Sequence, residues 1–596
     1  METPLRTGKA WLLAALIGWV LFLVPVVAAV VVHGMSAIYI QNDDAMRLVE
    51  VRDLIAGRGW FDHMQPRLGV GEGTWIHWSR LVDVPIAALI LAFTPFLGQA
   101  GAENVALIAW PLLVAIIPIA TVAFTAHAFT GLRGAILSAV LMAQMLFQTT
   151  EFSPGSLDHH NVQMSLLIMA LCFAVVSLSR PGFAVGSGIA VAATVAVGIE
   201  TLPHVAALGV FLALLWALRG PTVRRAVMLF SGGLAASLAT FFVMLAPPVA
   251  YTGGYCDSLS IDQAAPILIG SLGLLVSAWF LSDRGALARV GALFVIGAIA
   301  AAEAKFLTPG CLSNPVDQLD PFLKSAWFDQ VSEVQPLFTA LSIVPTYLVP
   351  QIAIWCIAIT STAALIWMGR NRFEWIVVAL MLLAAMGMTL WQIRGAMFIG
   401  ILSVLPITCM VDRIYGYGEA RGQALIRIGA LVLFFVSVPQ LWVFIVLGNE
   451  EVQEQVAEGG NPFTGFLDQC YKPRELAALA ALPPGLTAAG SNLGAFILLE
   501  TPHSTLSAPY HRNQAGMLAE LRIDYASDDE AERLLREAGV DYVVMCSENP
   551  EFNVQDGSKP GFSFRLKDGD YPDFLVPLRS HLDDPLITVY RLADPA

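Results

Sequence analysis

Apolar segments of about 20 residues follow one another along most of this 596-residue chain and leave few ways for it to fold. A helix needs about this length to cross the hydrocarbon core of a bilayer. Only 13% of the residues are charged, against about 25% in average globular chains. The sequence therefore predicts a polytopic α-helical membrane protein.

We place about thirteen spans in the first three quarters of the chain. They cover, approximately, residues 11–32, 103–129, 134–150, 162–178, 183–199, 203–218, 226–245, 265–282, 290–306, 345–368, 375–391, 396–411 and 428–447. Residues 84–97 are short for a span and contain Pro85 and Pro95, so we predict an interfacial or re-entrant helix there. The first segment is too long for a cleaved signal peptide and is expected to remain as a helix.

Short loops that carry arginine alternate with longer polar loops, and this alternation sets the orientation. If the arginine-bearing loops are cytoplasmic, as the positive-inside rule requires, the polar loops all face outward together with everything after residue 447. These outer loops are residues 33–83, 151–161, 247–264 and 307–344. We expect a multi-pass protein of a bacterial inner membrane, with its chemistry on the periplasmic side.

The tail, residues 448–596, is more polar and contains no segment long enough to span a membrane. Its apolar stretches 494–499, 541–545 and 586–590 predict short strands, and residues 530–538 predict a helix. Together they indicate a soluble periplasmic α/β domain.

Four of the seven cysteines lie in predicted outer parts of the chain. Four cysteines permit two disulfides in an oxidising compartment such as a periplasm. We favour Cys256 with Cys311 and Cys470 with Cys546, although the sequence leaves the connectivity open.

Two acidic stretches lie at the outer ends of apolar segments: Asn42-Asp43-Asp44-Ala45-Met46-Arg47 and Ser156-Leu157-Asp158-His159-His160-Asn161. Ionisable groups at a membrane are costly and by default indicate a functional site. The simpler alternatives are that Asp43 and Asp44 cap the helix that begins there, and that the second stretch is a solvated turn.

The first stretch, with Arg52-Asp53-Leu54-Ile55-Ala56-Gly57 after it, resembles the first external loop of the catalytic subunit of oligosaccharyltransferase of the single-chain bacterial or archaeal type. The wider family is that of the GT-C fold glycosyltransferases. Three more elements follow in the family's order. They are the second acidic motif at residues 155–160, a Ser-Val-Ser-Glu-His-Gln-Pro type loop at 330–336, and the late-helix arginine in Gln392-Ile393-Arg394. The resemblance covers residues 11–447 and implies a GT-C-like catalytic domain over residues 1–447.

The resemblance implies a divalent cation, Mn²⁺ or Mg²⁺, held by Asp43, Asp158 and Glu333. His160 stands where the family commonly has a second Asp, and it is either a further ligand or a neutral substitute. Catalytic roles fall on Asp43, Asp44 and Glu333, and either Asp43 or Asp44 would orient or deprotonate the acceptor. A hard cation would neutralise the phosphate that leaves with a lipid carrier.

Arg394 would contact that phosphate, for which a guanidinium offers paired donors; the alternative is that it snorkels to the interface. Arg47, His77, Arg80 and His159 are further candidates for binding the phosphate or sugar of the donor. The formal net charge of −14 argues against nucleic acid as a partner. The expected partners are a polyprenyl-linked sugar donor, membrane lipids and a glycan or protein acceptor.

The predicted function is metal-dependent transfer of a sugar or oligosaccharide from a polyprenyl phosphate or pyrophosphate carrier to a protein, polysaccharide or lipid. The sequon-reading motif Trp-Trp-Asp-Tyr-Gly does not occur after residue 447, which leaves an N-linked oligosaccharyltransferase with a diverged acceptor site as an alternative. A transporter or flippase of lipid-linked sugars is the alternative from another class, but it predicts repeated halves and mid-membrane charges that this sequence lacks. A catalytically inactive assembly protein would leave the acidic residues unexplained.

Overall fold

The apolar segments form long helices in the computed structural model of the chain, which describes residues 6–34, 38–307, 309–312, 319–448, 470–547, 561–578 and 585–594. The chain divides into two compact units. The membrane unit comprises Met1–Tyr39, Trp78–Pro315 and Ser332–Asn449, and the α/β unit comprises Ile40–His77, Val316–Val331 and Glu450–Ala596. The domain boundary that we place after residue 447 stays a prediction.

The helices up to residue 447 are α1 Ala10–His33, α2 Asn42–Ile55, α3 Arg80–Val114, α4 Ile116–Thr130, α5 Leu132–Leu146, α6 His160–Ser177, α7 Phe183–Val197, α8 Leu202–Arg219, α9 Arg224–Leu245, α10 Ile261–Leu281, α11 Ala286–Phe306, α12 Pro321–Ala326, α13 Leu337–Ala340, α14 Pro345–Trp367, α15 Arg372–Trp391, α16 Met397–Ala420, α17 Ala424–Val436 and α18 Pro439–Leu447. The tail adds α19 Pro473–Ala480, α20 Ser491–Glu500, α21 Gln514–Asp524, α22 Asp528–Ala538 and α23 Phe562–Lys567.

Within the described residues, ten helical segments are long and apolar enough to cross a membrane, and the bent pair α17 and α18 makes up to eleven. Two further predicted spans, those at 134–150 and 183–199, correspond to the 15-residue helices α5 and α7. The polytopic helical class is thereby confirmed. Residues 84–97 lie in the first part of α3, which breaks at Gly98 where φ is 69°; their position at the membrane surface stays a prediction.

Helix α16 lies at the centre of the membrane unit. All of its residues from Met397 to Asp412 are buried, whereas the buried residues of α11 are only Arg289 and Glu303. A helix that is apolar on every side belongs inside a bundle, and in a bilayer an exposed apolar helix faces lipid. The turn Ile393–Ala396, which leads into α16, is buried apart from Arg394.

The α/β unit contains a five-stranded sheet in the order β4-β3-β5-β7-β6. Its strands are β3 Leu486–Ala489, β4 Ser504–Thr505, β5 Tyr542–Cys546, β6 Leu575–Leu578 and β7 Ile587–Leu592. β3 runs parallel to β4 and β5, while β7 is antiparallel to β5 and β6. The predicted strands at 541–545 and 586–590 and the predicted helix at 530–538 are confirmed.

The strand predicted at 494–499 is wrong, because these residues belong to helix α20. Every residue from Leu493 to Leu499 is buried. A short apolar run that is buried on all sides has no polar face, so periodicity does not distinguish a strand from a buried helix.

The first outer loop is part of the α/β unit. It contains α2 and the hairpin of β1 Met64–Gln65 with β2 Thr74–Trp75. The backbone N–H of Thr505 donates to Arg67 O at 2.9 Å, and the Arg52 guanidinium donates to Leu499 O at 2.6 Å. The loop thus packs on the edge of the sheet and on α20.

Both predicted disulfides are confirmed. Cys256 is bonded to Cys311 in the membrane unit, and Cys470 is bonded to Cys546 in the α/β unit. The remaining cysteines, Cys172, Cys356 and Cys409, are free and lie in helices of the membrane unit.

Candidate functional site

A glycine turn positions the second acidic motif. Gly155 has a φ of 107°, and a Cβ atom at this position would lie 1.9 Å from Tyr39 O. The Gly155 N–H donates to Leu107 O at 2.8 Å, and the Tyr39 N–H donates to Pro154 O at 3.0 Å. Because both the backbone angle and the close approach require glycine, this turn fixes where the chain enters α6.

The motif residues Asp158, His159 and His160 form a buried cluster at the start of α6. Asp158 Oδ1 lies 2.5 Å from His159 Nδ1, and Asp158 Oδ2 lies 3.4 Å from His160 Nε2. The predicted alternative of a solvated turn does not describe this geometry, since all three side chains are withdrawn from solvent.

Glu200, in the connection between α7 and α8, completes the cluster. Its Oε1 lies 3.5 Å from His159 Nε2, and its Oε2 accepts a hydrogen bond of 2.6 Å from Gln163 Nε2. The other end of the Gln163 amide, Oε1, lies 3.0 Å from His160 Nδ1. Each histidine of the motif is therefore held on one side by Asp158 and on the other by Glu200 or Gln163.

His159 is an imidazolium in this setting. Burial by itself lowers the pKa of His159, but the carboxylates of Asp158 and Glu200 raise it to about 10. Burial likewise raises the pKa of Glu200, but its contact with His159 brings it well below the ordinary value. At neutral pH His159 is therefore protonated and Glu200 is ionised.

Glu333 and Arg394 meet through two short turns. The backbone N–H of Ile393 donates to Gln335 O at 3.0 Å and joins the turn Ile393–Ala396 to the turn Ser332–Val334. Two nitrogens of Arg394, Nη2 and Nε, donate to Glu333 Oε2 at 2.9 and 3.3 Å. The Glu333 side chain is 53% exposed, so this pair stays accessible.

The electrostatics connect this pair to the buried cluster. Desolvation raises the pKa of Glu333, whereas Arg394 and His160 lower it, and the net result is below the ordinary value. Arg394 also lowers the pKa of Glu200. The membrane unit therefore brings together four residues that the sequence singles out, which are Asp158, His160, Glu333 and Arg394, along with His159.

The remaining candidate of the membrane unit, Arg80, is engaged elsewhere. Its Nη1 lies 3.0 Å from Asp83 Oδ2, and their side chains are 0% and 2% exposed. A buried pair of this kind holds the first turn of α3, and the predicted contact of Arg80 with a donor stays a prediction.

The other four candidates lie in the α/β unit. Asp44 Oδ2 accepts a bond of 2.9 Å from the Gln41 backbone N–H, so Asp44 has the capping role that we weighed as an alternative. Arg47 is completely buried, and the His77 ring lies 5.0 Å from that of His511. Asp43 follows the first residue of α2, and the roles predicted for it and its neighbours stay predictions.

Gln163 is a site residue that the sequence analysis missed. Glu200 lies between two predicted spans and is a candidate for lining the cavity from the sequence, which nevertheless favours a helix-end pair with His204. Gln163 follows His160 by three residues, a spacing that places both side chains on the same face of a helix, so a helical reading of α6 would have found it. The contact of Glu200 with the motif has no comparable signal in the sequence, because it depends on how α7 packs against α6.

The Asp158–His160 pair suits a divalent cation. Ring nitrogens of His159 and His160 and a carboxylate oxygen of Asp158 lie within 4.8 Å of one another. Because both nitrogens of the His159 imidazolium carry protons, Asp158 and His160 are the residues with lone pairs to offer. A carboxylate oxygen with an imidazole nitrogen suits Mn²⁺ or Zn²⁺ better than Mg²⁺, which prefers oxygen ligands.

No protein-family model and no curated protein sequence matches the chain. Solved structures do match, and among them is archaeal oligosaccharyltransferase AglB from Archaeoglobus fulgidus in complex with an inhibitory peptide and a dolichol-phosphate. It superposes with a TM-score of 0.66 at 14% sequence identity, over 90% of this chain and 69% of the archaeal chain. The fold is that of an oligosaccharyltransferase.

The same archaeal oligosaccharyltransferase in complex with Zn and sulfate matches with a TM-score of 0.58 at 14% identity, over 91% of this chain and 68% of that one. Tethered to an acceptor peptide containing the NVT sequon via a disulfide bond, it matches with a TM-score of 0.60 at 14% identity, over 90% of this chain and 69% of the archaeal chain. The predicted GT-C, oligosaccharyltransferase-like fold is confirmed, and at this identity the likeness concerns the fold.

Proposed function

We propose that the protein is a glycosyltransferase that moves a sugar or an oligosaccharide from a polyprenyl phosphate or pyrophosphate carrier to an acceptor, with the help of a divalent cation. The reaction would take place at the periplasmic face of a bacterial inner membrane. The observation that carries the proposal is the group formed by Asp158, His160, Glu333 and Arg394 on an oligosaccharyltransferase-like fold. The complexes of the archaeal enzyme with dolichol-phosphate and with Zn and sulfate support both the lipid carrier and the cation.

Asp158 and His160 would hold the cation, with Glu333 as a further ligand. The cation would supply positive charge against the phosphate that leaves the sugar. Asp43, as a ligand, and Asp43 or Asp44, as the group that orients or deprotonates the acceptor, keep these roles from the sequence resemblance alone. The mixed oxygen and nitrogen set favours Mn²⁺ over Mg²⁺.

Arg394 would bind the leaving phosphate. Two nitrogens of its guanidinium donate to the same oxygen of Glu333, whereas a phosphate can accept these two bonds on two separate oxygens. Glu333 therefore orients Arg394 before the donor arrives. The His159 imidazolium adds a second fixed positive charge beside Asp158.

The test is consumption of native polyprenyl-linked glycans by the purified full chain in lipid nanodiscs, with Mn²⁺, Mg²⁺ or a chelator. We expect metal-dependent consumption that Asp158→Ala and Asp43→Ala abolish, and the glycosylated product identifies the acceptor. The matched control is Asp283→Ala, since the Asp283 side chain is 75% exposed and pairs with Arg224. If no metal supports consumption and the protein instead moves the donor across vesicles, the transporter reading replaces this proposal.

A further inference from the structure

We propose that Gln163 and Glu200 are positioning residues that present the Nε2 lone pair of His160 to the cation and so make the site prefer Mn²⁺ to Mg²⁺. We call these two residues the Glu200–Gln163 relay. The inference rests on the proposed function only in assuming a cation at Asp158 and His160, and its readout is metal binding rather than sugar transfer.

The relay fixes which nitrogen of His160 carries the proton. Glu200 Oε2 accepts only, so the amide nitrogen of Gln163 must be the atom 2.6 Å from it. The amide oxygen then faces His160 Nδ1 at 3.0 Å and requires a proton there. In a neutral His160, Nε2 is consequently the atom that presents a lone pair.

The opposite orientation of the Gln163 amide is excluded by charge. It would place the amide oxygen 2.6 Å from the carboxylate oxygen of Glu200, with no proton between two acceptors. The carboxylate of Glu200 therefore fixes the orientation of the Gln163 amide, and that amide in turn fixes the position of the proton on His160.

The lone pair of His160 Nε2 faces another acceptor. Asp158 Oδ2 lies 3.4 Å from it, while Asp158 Oδ1 is occupied by His159 Nδ1 at 2.5 Å. One oxygen and one nitrogen acceptor, each oriented through a second atom of its own group, together form part of a cation site. An imidazole that is held in this way selects against Mg²⁺, which binds nitrogen ligands poorly.

Gly198 provides the space for the relay. A Cβ atom on Gly198 would lie 2.4 Å from Gln163 Nε2 and 2.6 Å from Glu200 Oε2. The backbone of Gly198 is extended, with a φ of −178°, so alanine is allowed there. Gly198→Ala therefore displaces the relay without removing any polar group.

The experiment is titration of Mn²⁺ and Mg²⁺ into the purified full chain, with free Mn²⁺ followed by electron paramagnetic resonance. We expect Gln163→Leu and Gly198→Ala each to weaken Mn²⁺ binding by about 10- to 100-fold, the range for groups that orient metal ligands, and to change Mg²⁺ binding much less. The control is Gln440→Leu, since Gln440 also donates its amide N–H to a carbonyl oxygen of the membrane unit, that of Gln144. It should leave Mn²⁺ binding unchanged.

A double-mutant cycle separates positioning from a general structural effect. If Gln163 acts through His160, Gln163→Leu has no further effect on Mn²⁺ binding in a His160→Ala background. An equal loss in both backgrounds, or a wild-type chain that binds no Mn²⁺, overturns the inference. A wild-type chain that binds Mn²⁺ through the relay but consumes no donor would contradict the proposed function and leave the relay standing.

Discussion

Arg67 is the residue whose loss should most loosen the packing of the first outer loop in the α/β unit. Its guanidinium donates to Leu498 O in the last turn of α20 at 2.7 Å, and to Thr501 O at 3.0 Å and His503 O at 3.3 Å in the residues that follow the helix. The last four carbonyls of a helix have no partner within the helix, and a cation there also meets the negative end of the helix dipole. Arg67 therefore connects the loop to α20 by several bonds from one side chain.

The expected cost follows from the number of good bonds. Hydrogen bonds to a charged group contribute about 1.5–3 kcal/mol each, and the 3.3 Å contact is at the edge of good geometry. Two bonds at the lower value give about 3 kcal/mol for Arg67→Ala. If the amides of α20 exchange by local opening, that corresponds to faster hydrogen exchange by a factor on the order of 10². Arg67→Lys, with one compact donor group, should lose roughly half of this free energy.

The assay is hydrogen–deuterium exchange of the full chain, read at the peptides that cover α2 and α20. Arg533→Ala is the matched control, because Arg533 bonds Glu530 and Glu537 on the surface of the same unit. Exposed pairs contribute little, so exchange should not change measurably there. If Arg67→Ala accelerates exchange in α20 no more than Arg533→Ala does, the capping argument is wrong.

Three further changes test other parts of the structure. Arg394→Lys should lower donor consumption at least about tenfold with an unchanged melting temperature. Arginine donates two N–H groups to Glu333 and can do the same to a phosphate, whereas lysine has a single nitrogen for either partner. Gly155→Ala should destabilise the fold by far more than Gly254→Ala in thermal unfolding. Both have positive φ angles, but no atom lies within 4 Å of a Cβ at Gly254, so that change costs only about 1–2 kcal/mol of backbone strain. Cys256→Ser opens a disulfide that spans 55 residues and should lower the free energy of unfolding by up to about 4 kcal/mol in denaturant titrations.

The membrane helices were predictable because their signal is local. A run of about 20 apolar residues has one stable solution in a bilayer, so the helical segments follow from length and composition. The strand predicted at 494–499 is wrong because a short apolar run that is buried on all sides of a soluble unit is compatible with either a strand or a helix. Helix α3 also shows the limit of local rules, because two of its prolines, Pro85 and Pro95, lie within the helix and the break falls instead at Gly98.

The candidate site was predictable only in part. Residues that are close in the sequence were found together, whereas contacts between distant parts of the chain were not apparent from the sequence pattern. Asp158 and His160 belong to one short motif, so the sequence displays their proximity directly. Glu333 and Arg394 are 61 residues apart and were linked by resemblance rather than by physics. Glu200 contacts Gln163 from 37 residues away through the packing of separate helices, and neither the sequence pattern nor the resemblance indicated this contact.

The charges of the site explain why the proposed reaction needs a cation. Asp158, Glu200 and Glu333 are the carboxylates of this group, and His159 and Arg394 are the basic residues that pair with them. The pKa values of Glu200 and Glu333 lie below the ordinary value. Without a cation these carboxylates would oppose the approach of a phosphate. A divalent cation held by Asp158 and His160 would offset this repulsion and supply positive charge to the leaving phosphate.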